Sequence, residues 1–98
     1  MPKRLVLLNV LKAMNNGEHL IGDEQSNNFY LPSQPYVYLV KDALIRHRCI
    51  TEVESDHYTG FKYYKLSFYG DIQLAQGRRW WRSLSFFEKI KLIFLVGL

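Results

Sequence analysis

A group of basic residues near the middle of the chain has the residue types and spacing that could read a DNA groove. Lys41, Arg46 and Arg48 lie close together in the sequence, with the aromatic Tyr38 just before them. Arginine can donate two hydrogen bonds to a guanine edge in the major groove, so Arg46 is a candidate for reading base sequence. Cations at the C-terminal end of a helix also complement the helix dipole, and this purely structural interpretation stays open. The candidate DNA-contacting residues here are Tyr38, Lys41, Asp42, Ile45, Arg46 and Arg48.

The residue types that act as bases, nucleophiles or metal ligands are scattered along the chain. His19, His47 and His57 are far apart, and no nucleophile elbow, phosphate-binding loop or His-x-x-x-His pair occurs. Cys49 lies close to His47, but no third residue is evident that could orient the pair. The sequence therefore predicts neither an enzyme nor a bound cofactor or metal.

Acidic residues dominate the turn of a predicted hairpin. Glu52, Glu54 and Asp56 precede His57. Because alternate residues of a strand project to one face, only Glu52 and Glu54 would share a face, so a solvated hairpin is favoured over a cation site. Negative charge at this position would repel phosphate, which counts against docking of the hairpin along a DNA backbone.

The C-terminal segment combines arginines, tryptophans and a run of apolar residues. Both tryptophans and three arginines lie between Gly77 and Ser83, where they could stack on bases, lie at a membrane interface or anchor a protein interface. The run from Leu92 to Val96 is apolar on every face of a helix, so we expect burial against the first helix or across a homodimer, with a membrane surface the least favoured alternative. Further candidate DNA contacts are Arg78 and Arg79, and candidate partner or dimer contacts are Trp80, Trp81, Phe86, Phe87, Ile90 and Phe94.

Apolar spacing predicts two helices in the first half of the chain, separated by short strands. A helical repeat over about residues 3–16 predicts the first helix, which Gly17 ends. Residues 19–21 and 29–31 are short β-like runs, and no helix is evident around them. Ser33 is the predicted N-cap of the second helix. That helix would run to about residue 48 with Val37, Val40 and Leu44 facing inward, Lys41, Asp42 and Ile45 facing outward, and an ion pair between Asp42 and Arg46.

The second half has the pattern of a hairpin followed by two helices. Residues 49–54 and 61–68 are predicted strands, joined by a polar turn. Ser67 can cap a helix that runs to about Gly77, where glycine weakens it. A capping box then opens a last helix over about residues 86–96.

The end of the predicted hairpin carries a recognisable pattern. Tyr64-x-Leu66-Ser67-x-x-Gly70-x-x-x-Leu74 resembles the Y-x-L-[ST]-x-x-G-x-x-x-L sequence by which the second wing strand of many bacterial winged-helix regulators passes into the next helix. The resemblance implies an α+β fold: a winged helix with a two-stranded wing and extra C-terminal helices, although the second helix of the helix-turn-helix is unclear. It implies a winged-helix-like domain over residues 1–76, with a basic, Trp-rich extension over residues 77–98 packed on that domain or on a partner.

Composition and charge leave two functional hypotheses. The length of 98 residues suits one domain, and a single cysteine fits a reducing, cytoplasmic location. The net charge of +4 comes entirely from the C-terminal extension, because the rest of the chain is balanced. The first hypothesis is a DNA-binding transcriptional regulator of bacterial or prophage type that binds double-stranded DNA as a homodimer. The alternative is a protein-interaction module, for example a phage-encoded modulator of a host protein, that uses the aromatic C-terminal surface.

Overall fold

The computed structural model describes residues 2–56 and 58–96, apart from the side chain of Val96. His57, considered above as a ligand, lies outside the described residues, as do the last two residues of the predicted extension. The helices are α1 (Lys3–Asn15), α2 (Lys41–Arg46), α3 (Phe68–Ser83) and α4 (Phe86–Val96), and a 3₁₀ turn at Val37–Val40 leads directly into α2. The strands are β1 (Leu20–Asp23), β2 (Asn28–Tyr30), β3 (Ile50–Asp56) and β4 (Phe61–Leu66). The α+β class is therefore confirmed.

The four strands form one antiparallel sheet in the order β2-β1-β4-β3. β1 pairs with β2 on one side and with β4 on the other, so that Leu20 lies opposite Tyr64. β3 and β4 pair antiparallel, as the sequence predicted for the hairpin. The two short β-like runs are confirmed as β1 and β2, and both belong to the same sheet as the hairpin.

Helix α1 supplies half of the core. It contacts α3, the 3₁₀ turn and β4. Because neighbours cover more than one of its sides, its buried residues are not confined to a single stripe. Leu7 is half-exposed. Gly17, at a φ of 103°, follows the helix end as expected. The buried residues of α1 are Leu5, Val6, Leu8, Val10, Leu11, Ala13 and Met14.

The junction between β4 and α3 explains the sequence pattern physically. Ser67 is the N-cap of α3, and its Oγ accepts a hydrogen bond from the Gly70 N–H at 3.1 Å. Gly70 is required because a Cβ at this position would collide with the carbonyl oxygen of Cys49. The other residues of the pattern face inward: Leu74 is buried, and Tyr64 and Leu66 pack against the core.

The segment predicted as one long second helix is instead two short pieces. Ser33 caps no helix, because its N–H and Oγ both donate to the carboxylate of Glu18, at 3.2 and 2.6 Å. The chain then forms the 3₁₀ turn, and α2 contains only six residues. The inward positions Val37, Val40 and Leu44 are nevertheless buried as predicted.

Helix α3 continues past its predicted end. Gly77 lies inside the helix, which ends at Ser83. A Cβ at Gly77 would lie 2.9 Å from the Leu8 Cδ1, so the glycine allows α1 and α3 to approach closely. The helix is therefore continuous across residues 76–77, where the sequence suggested a domain boundary.

A β-bulge changes the predicted geometry of the acidic hairpin. Glu52 lies opposite Tyr64, whereas Glu54 lies opposite Tyr63, because the register shifts between the two glutamates. Adjacent residues of β4 project to opposite faces of the sheet, so Glu52 and Glu54 do as well. The expectation that these two carboxylates share a face was wrong.

Candidate nucleic-acid interface

The exposed face of α2 is the candidate base-reading surface. Leu44 is fully buried, and this anchors the helix on the core. Asp42, Ile45 and Arg46 are exposed, with i, i+3 and i+4 spacing that places them on one side. The predicted ion pair between Asp42 and Arg46 is not formed, whereas Glu24 and Lys62 do form an ion pair. Arg46 is therefore not held by its helical neighbour.

The end of α2 forces Arg48 into an unusual backbone conformation. The Arg48 N–H donates to the carbonyl of Ile45 at 3.1 Å, and the Cys49 N–H donates to that of Leu44 at 2.9 Å. This is the Schellman pattern, in which the residue just past the helix cap is left-handed and is usually glycine. Arg48 occupies that position with a φ of 54° and an exposed side chain.

Hydrogen bonds fix the end of α2 to the start of α3. Ser67 donates its Oγ hydrogen to the carbonyl of Arg48 at 2.5 Å and its N–H to that of Cys49 at 2.8 Å. The backbone that carries Arg48 is therefore held by the same serine that caps α3. Cys49 is fully buried beside it, and burial raises the pKa of its thiol. A buried thiol of this kind is chemically inert.

Lys41 contacts its own domain, which differs from the outward position predicted for it. Its Nζ donates to the carbonyl of Asn27 in the β1–β2 turn. The same ammonium group lies 5.6 Å from the centre of the Phe29 ring. Lys41 therefore joins the start of α2 to the β1–β2 hairpin, and only part of its side chain is open to a ligand.

Tyr38 lies beside a groove that sequence reasoning missed. The groove lies between β2 and the 3₁₀ turn and has a volume of about 480 Å³. Its walls are mostly apolar, and Tyr38 itself is 58% exposed at the rim. The sequence signal that could have indicated the groove is the pair of prolines, which keeps the chain extended before the 3₁₀ turn. The aromatic and proline residues lining it are Phe29, Tyr30, Pro32, Pro35 and Tyr38.

Arg78 and Arg79 form a second, separate basic surface. Both side chains are exposed on α3. They lie about 15 Å along the helix axis from the N-terminal turn that holds Arg48, given the rise per residue of an α-helix. The structure therefore does not bring them together with α2 into one compact site.

The two tryptophans are less available than predicted. Trp80 and Trp81 are half-buried and pack against the core of their own domain. The guanidinium of Arg4 lies 4.7 Å from the ring of Trp80, and the Lys89 ammonium lies 5.7 Å from that of Trp81. Their main role in the described structure is to hold α3, α4 and the start of α1 together.

Helix α4, unlike the two tryptophans, carries large aromatic side chains that are mostly exposed. Ser85 and Glu88 form the predicted capping box, with each donating a backbone N–H to the other's side chain. Among the α4 side chains that the structure describes, Leu92 packs against the buried core, and Ile90 and Ile93 are half-buried. Burial against the first helix therefore does not extend to Phe94 and Leu95, and burial of these two residues across a homodimer stays a prediction. The exposed fractions are 71% for Phe86, 81% for Phe87, 78% for Phe94 and 55% for Leu95.

The acidic hairpin faces solvent. Glu52 and Glu54 are exposed, and Glu24 binds Lys62 across the sheet at 2.9 Å. The hydrogen bond to Glu24, followed by the charges of Glu24 and Glu52, raises the pKa of Lys62. Within residues 2–56 and 58–96, no group of three histidine, cysteine or acidic side chains is arranged to hold a metal ion.

No family model, curated protein or solved structure matches this chain. None of the helices in the described part of the chain has the length and apolar character needed to cross a membrane.

Proposed function

We propose that the protein is a DNA-binding transcriptional regulator of bacterial or prophage type, built on a winged-helix scaffold. The β3–β4 hairpin is the wing in this proposal, and α2 is the base-reading element. Support comes from the order of the elements and from the pairing of β1 with β4, which ties the strand after the first helix to the hairpin. β2 occupies the place in the chain where the second helix of a helix-turn-helix would be.

The observation that carries the proposal is the conformation of Arg48. A left-handed backbone costs a non-glycine residue about 1–2 kcal/mol, and glycine would form the same turn without that cost. Unlike glycine, Arg48 provides an exposed guanidinium, two residues after Arg46. Strain held at an exposed residue by surrounding hydrogen bonds is typical of functional positions.

The geometry suggests which contacts each residue makes. Arg46 and Asp42 lie on the outer face of a helix short enough to enter a major groove only at its end, so few bases are read directly. Arg48 lies just beyond the helix and contacts phosphate. The carboxylates of Glu52 and Glu54 repel the backbone, so the hairpin tip is held away from the duplex.

The test measures DNA affinity and fold stability on the same variants. A preferred duplex is first selected from a randomised pool, and affinity is then measured by fluorescence anisotropy at several salt concentrations. Arg46→Ala should weaken binding to the selected duplex by roughly 1–3 kcal/mol and relax its sequence preference. Arg79→Ala should weaken all duplexes alike and reduce the salt slope by about one.

Arg48→Gly provides the sharpest variant, because its two effects have opposite signs. It should weaken DNA binding while raising the free energy of unfolding by about 0.5–1 kcal/mol, since glycine relieves the left-handed strain. Lys12→Ala is the matched control, because it removes an exposed cation from α1. Absence of duplex binding at low salt, or equal losses for Arg46→Ala and Lys12→Ala, would contradict the proposal.

The second candidate function is a protein-interaction module, and the exposed phenylalanines of α4 favour it. Phe86, Phe87 and Phe94 are each more than two-thirds exposed on one short helix. The acidic hairpin is compatible with this function, because a protein partner carries no phosphate backbone that the carboxylates would repel. Under this alternative, Phe87→Ala abolishes capture of a host protein, and Arg46→Ala leaves that capture unchanged.

A further inference from the structure

We propose that two copies of this chain pair antiparallel through the outer face of α4, around a two-fold axis. The outer face is the side of α4 turned away from the core. It consists of Phe86, Phe87, Glu88, Ile90, Lys91, Phe94 and Leu95. The occupant of this face is a second copy, and the inference does not depend on DNA binding.

The exposed apolar residues of α4 are placed symmetrically along the helix. Phe87 and Phe94 are equally far from a point between Ile90 and Lys91, close to the middle of the helix, and so are Phe86 and Leu95. Around a two-fold axis at that point, Phe87 of one copy lies level with Phe94 of the other, and Phe86 lies level with Leu95. A surface that is its own complement in this way suits an isologous dimer.

Charged residues on one flank of the same face are complementary between two copies. Glu88 and Lys91 lie on the same side of the aromatic stripe, one turn apart. In the antiparallel pair, Glu88 of each copy is offset from Lys91 of the other by about 3 Å along the axis, given the helical rise. Two symmetric ion pairs can therefore form. The capping hydrogen bond already orients the Glu88 carboxylate, because Oε1 accepts from the Ser85 N–H at 3.3 Å.

The same charges disfavour the other occupants of this surface. Helices that bind anionic lipid carry several lysines or arginines on their polar face. On α4 the Lys89 ammonium lies over Trp81, away from the outer face. The outer face keeps Lys91 and Glu88, which cancel, so it offers no net attraction to an anionic membrane or to an acidic peptide.

The buried area sets the expected strength. Three phenylalanines are about three-quarters exposed. With about 200 Å² per ring, and with Leu95 included, two copies would bury roughly 1,000 Å², at the low end for a specific interface. The dimer should therefore be reversible and concentration-dependent.

The experiment is sedimentation equilibrium of the full chain over a wide concentration range. The wild-type protein should show a monomer–dimer equilibrium. Lys91→Glu and Glu88→Lys should each weaken self-association about tenfold or more, because like charges then face each other. An equimolar mixture of these two variants should recover the dimer, since each supplies the charge that the other lacks. The double variant E88K/K91E should recover it as well.

Matched variants separate interface effects from folding effects. Phe87→Asp should leave a monomer with unchanged circular dichroism. Phe68→Asp is the control, because it alters an exposed phenylalanine on α3 and should leave the dimer intact. A wild-type monomer at all concentrations, or a mixture that stays monomeric, would overturn the proposal. Binding of phosphatidylglycerol vesicles by a monomeric wild type would overturn it in favour of a membrane surface. The Arg46 and Arg48 effects on DNA test the proposed function separately.

Discussion

The β4–α3 junction and helix α4 lie at opposite ends of α3 and differ in what holds them in place. At the junction, Ser67 donates two hydrogen bonds to the distant carbonyls of Arg48 and Cys49, and its Oγ caps the Gly70 N–H. Gly70 packs closely against the Cys49 carbonyl. In α4, capping is local and the large aromatic side chains face solvent. The comparison shows that a strong sequence pattern for an element does not specify how much of its surface the same chain covers.

The largest effect is expected at the junction itself. Gly70→Ala places a methyl group against the Cys49 carbonyl oxygen, which belongs to the backbone and cannot rotate away. We expect the free energy of unfolding to fall by about 3 kcal/mol, the upper end for overpacking. Chemical denaturation measures this directly. Gly77→Ala is the matched control: its new methyl meets the movable side chain of Leu8, so a loss as large as that of Gly70→Ala would contradict the argument.

The second prediction compares two faces of α4 at low protein concentration. Leu92→Ala should lower the free energy of unfolding by about 1–2 kcal/mol, because the Leu92 side chain packs against the core. Phe94→Ala should change it by less than about 0.5 kcal/mol, since its ring is exposed. Thermal melts below the concentration at which dimers form provide the measurement. Equal losses would show that the outer face is buried within one copy.

The third prediction concerns the serine at the junction. Ser67→Ala removes the cap on the Gly70 N–H and the hydrogen bond to the Arg48 carbonyl. A loss of about 1 kcal/mol is expected from the cap alone. Ser67→Thr keeps both hydrogen bonds and should recover most of that stability. If Ser67→Ala melted at the wild-type temperature, the junction would not be the stronger of the two regions.

The smallest effect is expected at the sheet, from the pair between Glu24 and Lys62. The pKa of Lys62 is raised in the folded state. Lys62 therefore contributes stability that is fully present below its ordinary pKa of 10.5 and is lost as the pH rises through the folded pKa. Other groups also titrate in this range, so the measurement is the difference between wild type and Glu24→Gln. That difference should shrink above pH 10.5, and a difference independent of pH would contradict the assignment.

Local sequence determined the elements whose ends are fixed by short-range chemistry. The first helix, the hairpin, the Ser67 cap and the capping box of α4 were all predicted, because each depends on residues within a few positions of one another. The exception was Ser33, where the hydroxyl donates to Glu18, fifteen residues away in the chain. A single long-range acceptor was enough to replace a predicted helix start with a loop, a 3₁₀ turn and a short α2.

The tertiary structure alone decided which candidate site residues are available. Lys41 was predicted to face outward and the two tryptophans were candidate partner contacts, yet contacts with Asn27, Arg4 and the core occupy them. Arg48 looked ordinary, yet the meeting of α2 with α3 places it in a left-handed conformation. The physical reason is that residue type and spacing fix what a side chain can do locally. Which neighbours cover it depends on contacts between segments far apart in the chain.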